Sequence, residues 1–193
     1  MKKLLMATLS FLSIFGCKTN SLLSNYNTPG NLKANYHLEC IDLSNLKNYH
    51  TPADVYPAIK KCIESDNLQF ASQLFAFAGV YSKFDMKRVK DRSAHQAITV
   101  IRINNFSNID SEKYKAFQNY IQDYMNQGSP ELESICSQIK KIGKPNYIPM
   151  YMINHGISAF NNNNNNNTPL YENFDAEVSW SEVLDNYLHC SVN

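Results

Sequence analysis

Two histidines, His95 and His155, are the residues of this chain best suited to acid–base or metal chemistry. His95 follows the hydroxyl of Ser93 by two residues, and the carboxylates of Asp85 and Asp91 precede it by ten and four residues. A hydrolase needs a nucleophile, a base and an orienting carboxylate that converge in space. Ser93 lacks the Gly-x-Ser-x-Gly turn that exposes a nucleophilic serine. We therefore favour a structural role for each histidine and assign no catalytic residue.

A metal or cofactor is not expected either. His155 could join His95 at a metal, but neither lies in a His-Glu-x-x-His spacing, and the sequence contains no Cys-x-x-Cys. Tyr147 and Tyr151 stand close to His155 among prolines and asparagines, and Tyr171 follows in a similar context. Tyrosines with short polar neighbours are typical of protein-binding surfaces. His95, Tyr147, Tyr151 and His155 are therefore the candidate binding surface.

Cysteine usage indicates an oxidising compartment. Apart from Cys17, the chain has four cysteines, Cys40, Cys62, Cys136 and Cys190, which is an even number. Four cysteines allow three pairings, and buried free thiols are an alternative. We expect Cys40 to pair with Cys62 and Cys136 with Cys190, because the second bridge would tie the last helix to the body.

The N-terminus has the layout of an export signal. Lysines at positions 2 and 3 precede an apolar stretch from Leu4 to Phe15, which is too short to span a bilayer. Ile14-Phe15-Gly16-Cys17 follows and resembles the lipobox of bacterial lipoproteins, although Phe15 departs from the commonest residue at its position. The resemblance implies cleavage after Gly16, a lipid on Cys17 and a protein that faces the periplasm. Lys18, where inner-membrane retention would favour Asp, points to the outer membrane. An ordinary secretory signal is the alternative.

Composition predicts one domain and excludes nucleic acid as a partner. The formal net charge is +1, and the densest basic cluster, from Lys83 to Arg92, is interrupted by acids. We divide the chain into a signal peptide (1–16), a lipidated tether (17–34) and a helical domain (35–193). Asn161 to Asn167 form a run of asparagines, which predicts a solvated loop.

Helical periodicity and capping residues recur along the domain, so the predicted class is all-α, a compact bundle of about six or seven helices with two disulfides. Thr51, Asp110, Ser129 and Asp175 are predicted N-caps. A third helix is expected from about Asp85 to Ile103, although residues 98–101 are β-branched and could form a strand. A short helix is expected around 150–159. Residues 35–50 predict an extended or irregular lead-in. We expect Asp85, Arg88 and Asp91 to form ion pairs that orient the third helix.

The segment Ala58 to Gly79 resembles a single tetratricopeptide unit. Ala71, Phe75 and Ala78 have the spacing of the packing residues of that repeat, and no second copy follows. The resemblance implies an antiparallel helix pair.

Together these features predict a membrane-anchored periplasmic lipoprotein that is a non-catalytic binding module for a protein partner or an envelope component. An immunity lipoprotein that neutralises a periplasm-targeted toxin is one alternative. A structural subunit of an envelope complex is another, and a small hydrolase using His95 or His155 is the least favoured.

Overall fold

The protein is described by a computed structural model that covers residues 28–160 and 168–190. Seven α-helices lie in these residues, which confirms the predicted all-α class. The predicted signal peptide, Cys17 and the run from Asn161 to Asn167 lie outside them. None of the helices that the structure describes is long and apolar enough to cross a membrane. The helices are α1 (Pro52–Glu64), α2 (Leu68–Arg88), α3 (Ala97–Phe106), α4 (Ser111–Tyr124), α5 (Pro130–Ile142), α6 (Met150–Ile153) and α7 (Ala176–Asn186), and the 3-10 turns are Leu43–Asn45, Arg92–Gln96 and Ile157–Phe160.

Side-chain caps explain where most of the helices begin. At α1, Thr51 and Asp54 form a capping box in which Asp54 Oδ2 accepts the Thr51 N–H at 2.7 Å. The other carboxylate oxygen of the buried Asp54 accepts the backbone N–H groups of Asn35 and Tyr36, which fixes the irregular lead-in against α1. The predicted caps are confirmed, and Asn67 caps α2 in addition. The remaining caps are Asp110 for α4, Ser129 for α5 and Asp175 for α7.

α2 is the central helix, and α1, α4, α5 and α7 pack against it. Most of its residues are buried on every side, so it shows no single apolar stripe. Small residues permit the close packing. At Gly79 an added Cβ would lie 2.8 Å from Cε1 of Tyr187, so the absence of a side chain there lets α7 approach α2.

Two disulfides join the lead-in and the chain end to this bundle, as predicted. Cys40 bonds to Cys62 of α1 with a Cα–Cα distance of 4.8 Å. Cys136 of α5 bonds to Cys190 with a Cα–Cα distance of 5.6 Å, so the segment after α7 is held to α5.

The predicted third helix is wrong in its bounds. α2 continues to Arg88, the chain is extended at Val89, and a separate helix, α3, begins only at Ala97. The break has a physical cause, because this stretch pairs with the segment before α7. Lys90 N–H donates to Pro169 O and Tyr171 N–H donates to Arg88 O, each at 3.0 Å. The strand alternative for residues 98–101 is also wrong, since they lie inside α3.

The chain on either side of α6 also differs from the prediction. The single short helix expected around 150–159 is two pieces, α6 and the 3-10 turn Ile157–Phe160, with a turn between them. Residues 28–34, part of the predicted tether, begin with a segment that lies against α6, where Leu32 N–H donates to Tyr151 O at 3.0 Å.

Candidate functional site

A buried ionic cluster lies at the C-terminal end of α2. The side chain of Asp85 is inaccessible to solvent, and Arg88 donates to its Oδ1 from Nε at 2.9 Å and from Nη2 at 2.6 Å. The hydroxyls of Tyr147 and Tyr151 donate to Oδ2 at 2.9 and 2.7 Å. Four donated hydrogen bonds thus converge on one carboxylate and join α2 to α6 and to the segment before it.

The pKa shifts in this cluster are consistent with a structural role for its hydrogen bonds. Burial raises the pKa of Asp85, and the Arg88 guanidinium and the two tyrosine hydroxyls oppose that shift. Burial also raises the pKa of Tyr147 and of Tyr151 well above 10, so both keep their protons and act as donors. The Arg88 guanidinium lies 5.0 Å from the ring centroid of Tyr147, which adds a cation–π contact.

Two predictions need correction here. Tyr151 is only 2 % exposed, so its side chain cannot belong to a contact surface. Tyr147 is partly buried and turns its hydroxyl inward to Asp85. The predicted ion pair between Asp85 and Arg88 is confirmed, but Asp91 does not join it. Because α2 ends at Arg88, Asp91 instead caps the 3-10 turn Arg92–Gln96.

The hydrolase-like set does not assemble as a relay in the described residues. Ser93 Oγ donates to Asp91 Oδ1 at 2.5 Å and accepts the backbone N–H of Ile157 at 2.8 Å. His95 Nε2 lies 3.1 Å from the carbonyl oxygen of Val89. Asp91 Oδ2 accepts the N–H of Ser158 at 2.8 Å, so Asp91 and Ser93 together hold the turn Ile157–Phe160.

We expect the replacement of Asp91 by Asn to weaken the acid dependence of stability. Burial acts to raise the pKa of Asp91, but hydrogen bonds from Ser93 and Ser158 outweigh it and bring the pKa to about 2. This lies below the value of about 4 in an unfolded chain, so the stabilisation is complete above about pH 4 and is lost as pH falls towards about 2. The free energy of unfolding, measured with urea at several pH values in that range, should depend less steeply on pH for Asp91→Asn than for the unchanged chain. An equal flattening in Asp123→Asn, a change at an exposed position, would contradict this role.

His155 contacts the N-terminal segment of the described chain. Its Nδ1 lies 2.9 Å from Oδ1 of Asn31, and burial lowers its pKa, so the ring is neutral at neutral pH. Beside it, the Asn154 side-chain amide donates to Pro29 O at 2.8 Å. No group of three or more His, Cys, Asp or Glu side chains in residues 28–160 and 168–190 could hold a metal ion.

Two of the open cavities are binding candidates. A cleft of about 440 Å³ between α2 and α7 includes His95 and Tyr187. A groove of about 450 Å³ is formed by α3 and α4. In this α3–α4 groove, Ile103 is 48 % exposed, and the guanidinium of Arg102 lies 5.5 Å from the ring centroid of Phe75. The groove is lined by Thr99, Arg102, Ile103, Phe106, Ser107 and Tyr114.

The sequence prediction missed the α3–α4 groove because residues 98–101 are ambiguous between helix and strand and the predicted helix stops at about Ile103. Once they are placed on a helix, Thr99, Arg102, Ile103 and Phe106 have the i, i+3, i+4, i+7 spacing of one face. That spacing is the signal that could have identified the groove.

No protein-family model, curated protein or solved structure matches this chain significantly.

Proposed function

We propose that this protein is a lipid-anchored lipoprotein of the bacterial envelope, facing the periplasm, that binds a protein partner through the α3–α4 groove. The observation that carries the anchor is the use of the cysteines. Four of the five are paired with one another in two disulfides, which leaves Cys17 as the fifth. Cys17 is the residue that follows the apolar stretch and Gly16 in the lipobox-like sequence.

The anchor and the disulfides support the same compartment. Disulfides form and persist in oxidising surroundings such as the periplasm, which a protein reaches only by export. A lysine at position 18 favours delivery to the outer membrane. Several acyl chains on one cysteine would hold the protein firmly at a bilayer, whereas a single chain binds only marginally.

The binding part of the proposal rests on the shape and chemistry of the α3–α4 groove. It combines an exposed aliphatic side chain, Ile103, with Arg102 and Tyr114, and arginine and tyrosine are enriched at protein interfaces. The hydroxyls of Tyr147 and Tyr151, which the sequence analysis assigned to a binding surface, donate to the buried Asp85 instead. The α3–α4 groove therefore replaces them as the candidate contact surface.

Acylation tests the anchor directly. Cells that express the full chain should incorporate labelled palmitate into it, and Cys17→Ser should lose the label completely because the thioether has no sulfur to form on. Ser21→Ala, a change four residues further on, should keep the label. Absence of label from the unchanged chain would refute the anchor.

Partner capture tests the groove. We expect purification of the full chain from envelopes to recover a stoichiometric partner, and Ile103→Glu to reduce that recovery at least about tenfold, since a central apolar contact costs about 1–2 kcal/mol or more when it is lost. Val178→Glu is the matched control, because Val178 is similarly exposed on α7. Equal recovery with both variants, at equal melting temperature, would rule out the groove as the contact.

A further inference from the structure

The face built around α6 has an unusual chemistry for a surface. Between Lys144 and Glu172 no residue carries a formal charge, although 18 % of the whole chain is charged. Within this stretch, residues 148–160 present four large apolar side chains to solvent. The exposed fractions are 61 % for Ile148, 47 % for Met150, 66 % for Ile157 and 41 % for Phe160.

These four side chains, which we call the α6 face, lie within thirteen consecutive residues. Residues 148–160 are coiled into α6, a turn and a 3-10 turn, so they advance by about 1.5–2 Å per residue and span roughly 20 Å. Hydrogen bonds to the body of the domain hold this segment in place. Tyr147 and Tyr151 point inward to Asp85, and Asp91 and Ser93 bind the backbone of residues 157 and 158.

The described chain begins next to this same stretch, residues 148–160. Three contacts attach it there: Leu32 N–H to Tyr151 O, the Asn154 amide to Pro29 O, and His155 Nδ1 to Asn31 Oδ1. From Thr28 back to Cys17 the chain can reach at most about 40 Å when fully extended. A lipid on Cys17 would therefore keep Thr28, and the α6 side of the domain that it adjoins, within about 40 Å of the bilayer.

Basic residues border the α6 face. Lys33 follows the attached segment directly, and the exposed Arg92 stands between Asp91 and Ser93, the two residues that bind the turn Ile157–Phe160. An apolar surface bordered by Lys and Arg is the pattern of segments that lie in a membrane interface, where the cations meet lipid phosphates.

We infer that the α6 face lies against the lipid bilayer to which Cys17 is anchored, with Ile148, Met150, Ile157 and Phe160 inserted at the headgroup level. This inference rests on the proposed lipid anchor. It fixes the orientation of the domain, with the α6 face directed to the membrane.

Quenching by brominated lipid tests this orientation. The mature full chain is coupled through Cys17 to a maleimide-bearing phospholipid, which is feasible because the other four cysteines are paired, and is held on phosphatidylcholine vesicles. Ile157→Trp and Ile148→Trp place a reporter on the α6 face, and Tyr124→Trp places one at the exposed end of α4. The unchanged chain supplies the baseline from Trp180.

We expect acyl-chain bromination to lower the added emission of Ile157→Trp and Ile148→Trp by roughly twofold and to leave that of Tyr124→Trp unchanged, since a side chain at the interface reaches the upper acyl region. Equal quenching at all three positions, or none at any, would overturn the inference.

Chemical coupling keeps this test separate from the test of acylation. If palmitate labelling fails but quenching is selective, the proposed anchor is wrong while the membrane affinity of the face stands. If labelling succeeds and quenching is absent, the anchor stands and the orientation is wrong.

Discussion

Replacement of Asp85 by Ala should destabilise the fold by about 3–5 kcal/mol, which is the cost of leaving a buried charge without its partner. Arg88 is only 10 % exposed and would keep its guanidinium inside the protein with no carboxylate opposite it. The hydroxyls of Tyr147 and Tyr151 would lose their acceptor at the same time. Urea unfolding monitored by circular dichroism measures the loss.

Two milder variants distinguish the loss of the Asp85 charge from the loss of its side-chain volume and of single hydrogen bonds. Asp85→Asn keeps the volume and can turn its oxygen to Arg88 and its amide to the tyrosine oxygens, which can accept. We expect a smaller loss than in Asp85→Ala. Tyr151→Phe removes one hydrogen bond to a charged group and should cost about 1.5–3 kcal/mol.

The order of the three losses is the informative result. If Asp85→Ala cost no more than Tyr151→Phe, the carboxylate would not be the centre of the cluster. Because the cluster joins α6 to α2, Asp85→Ala should also loosen the attachment of residues 28–32, which bond to α6. Faster hydrogen exchange at the Leu32 amide would show this.

The elements whose positions follow from local chemistry are the ones the sequence predicts well. Thr51, Asp110, Ser129 and Asp175 each precede a periodic apolar stretch, and each caps a helix in the structure. A side-chain cap acts within three residues, so its signal is present in a short window of sequence.

The end of α2 is not predictable in this way. Arg88 to Asp91 has no Gly or Pro that would stop a helix, and the break arises from pairing with residues 169–171. That contact is long-range, and no local pattern contains it. The separate 3-10 turn Ile157–Phe160 after α6 depends on contacts of the same kind, made by Asp91 and Ser93.

In the candidate site, too, the local contacts could be predicted from the sequence and the long-range contacts could not. The sequence pairs Asp85 with Arg88 because they are close along a helix, but Tyr147 and Tyr151 reach Asp85 from 62 and 66 residues away. Tyrosines whose hydroxyls serve a buried carboxylate look the same in sequence as tyrosines of a binding surface. Only burial distinguishes the two, and burial is a property of the fold.

Removal of the disulfide between Cys136 and Cys190 is the second large effect we expect. This bridge spans a sequence separation of 54, and the bridge between Cys40 and Cys62 spans 22. In the chain-entropy account, the first stabilises by about 4 kcal/mol and the second by about 3 kcal/mol, because a longer closed loop restricts the unfolded chain more. Cys136→Ala with Cys190→Ala should therefore cost more than Cys40→Ala with Cys62→Ala.

The order in which α7 detaches and the bundle unfolds distinguishes a local effect of this disulfide from an effect on the whole fold. Without its bridge, α7 keeps its packing on α2, where the Trp180 ring lies edge-on to Tyr81 and Phe84 at centroid distances of 5.8 and 5.9 Å. We expect a red shift of Trp180 emission at lower urea than the loss of helical signal, since α7 can detach before the bundle unfolds. The matched pair Cys40→Ala with Cys62→Ala should show the two transitions together. Coincident transitions in both variants would mean that the bridge acts on the unfolded chain alone, and that α7 is held to the bundle by its packing on α2.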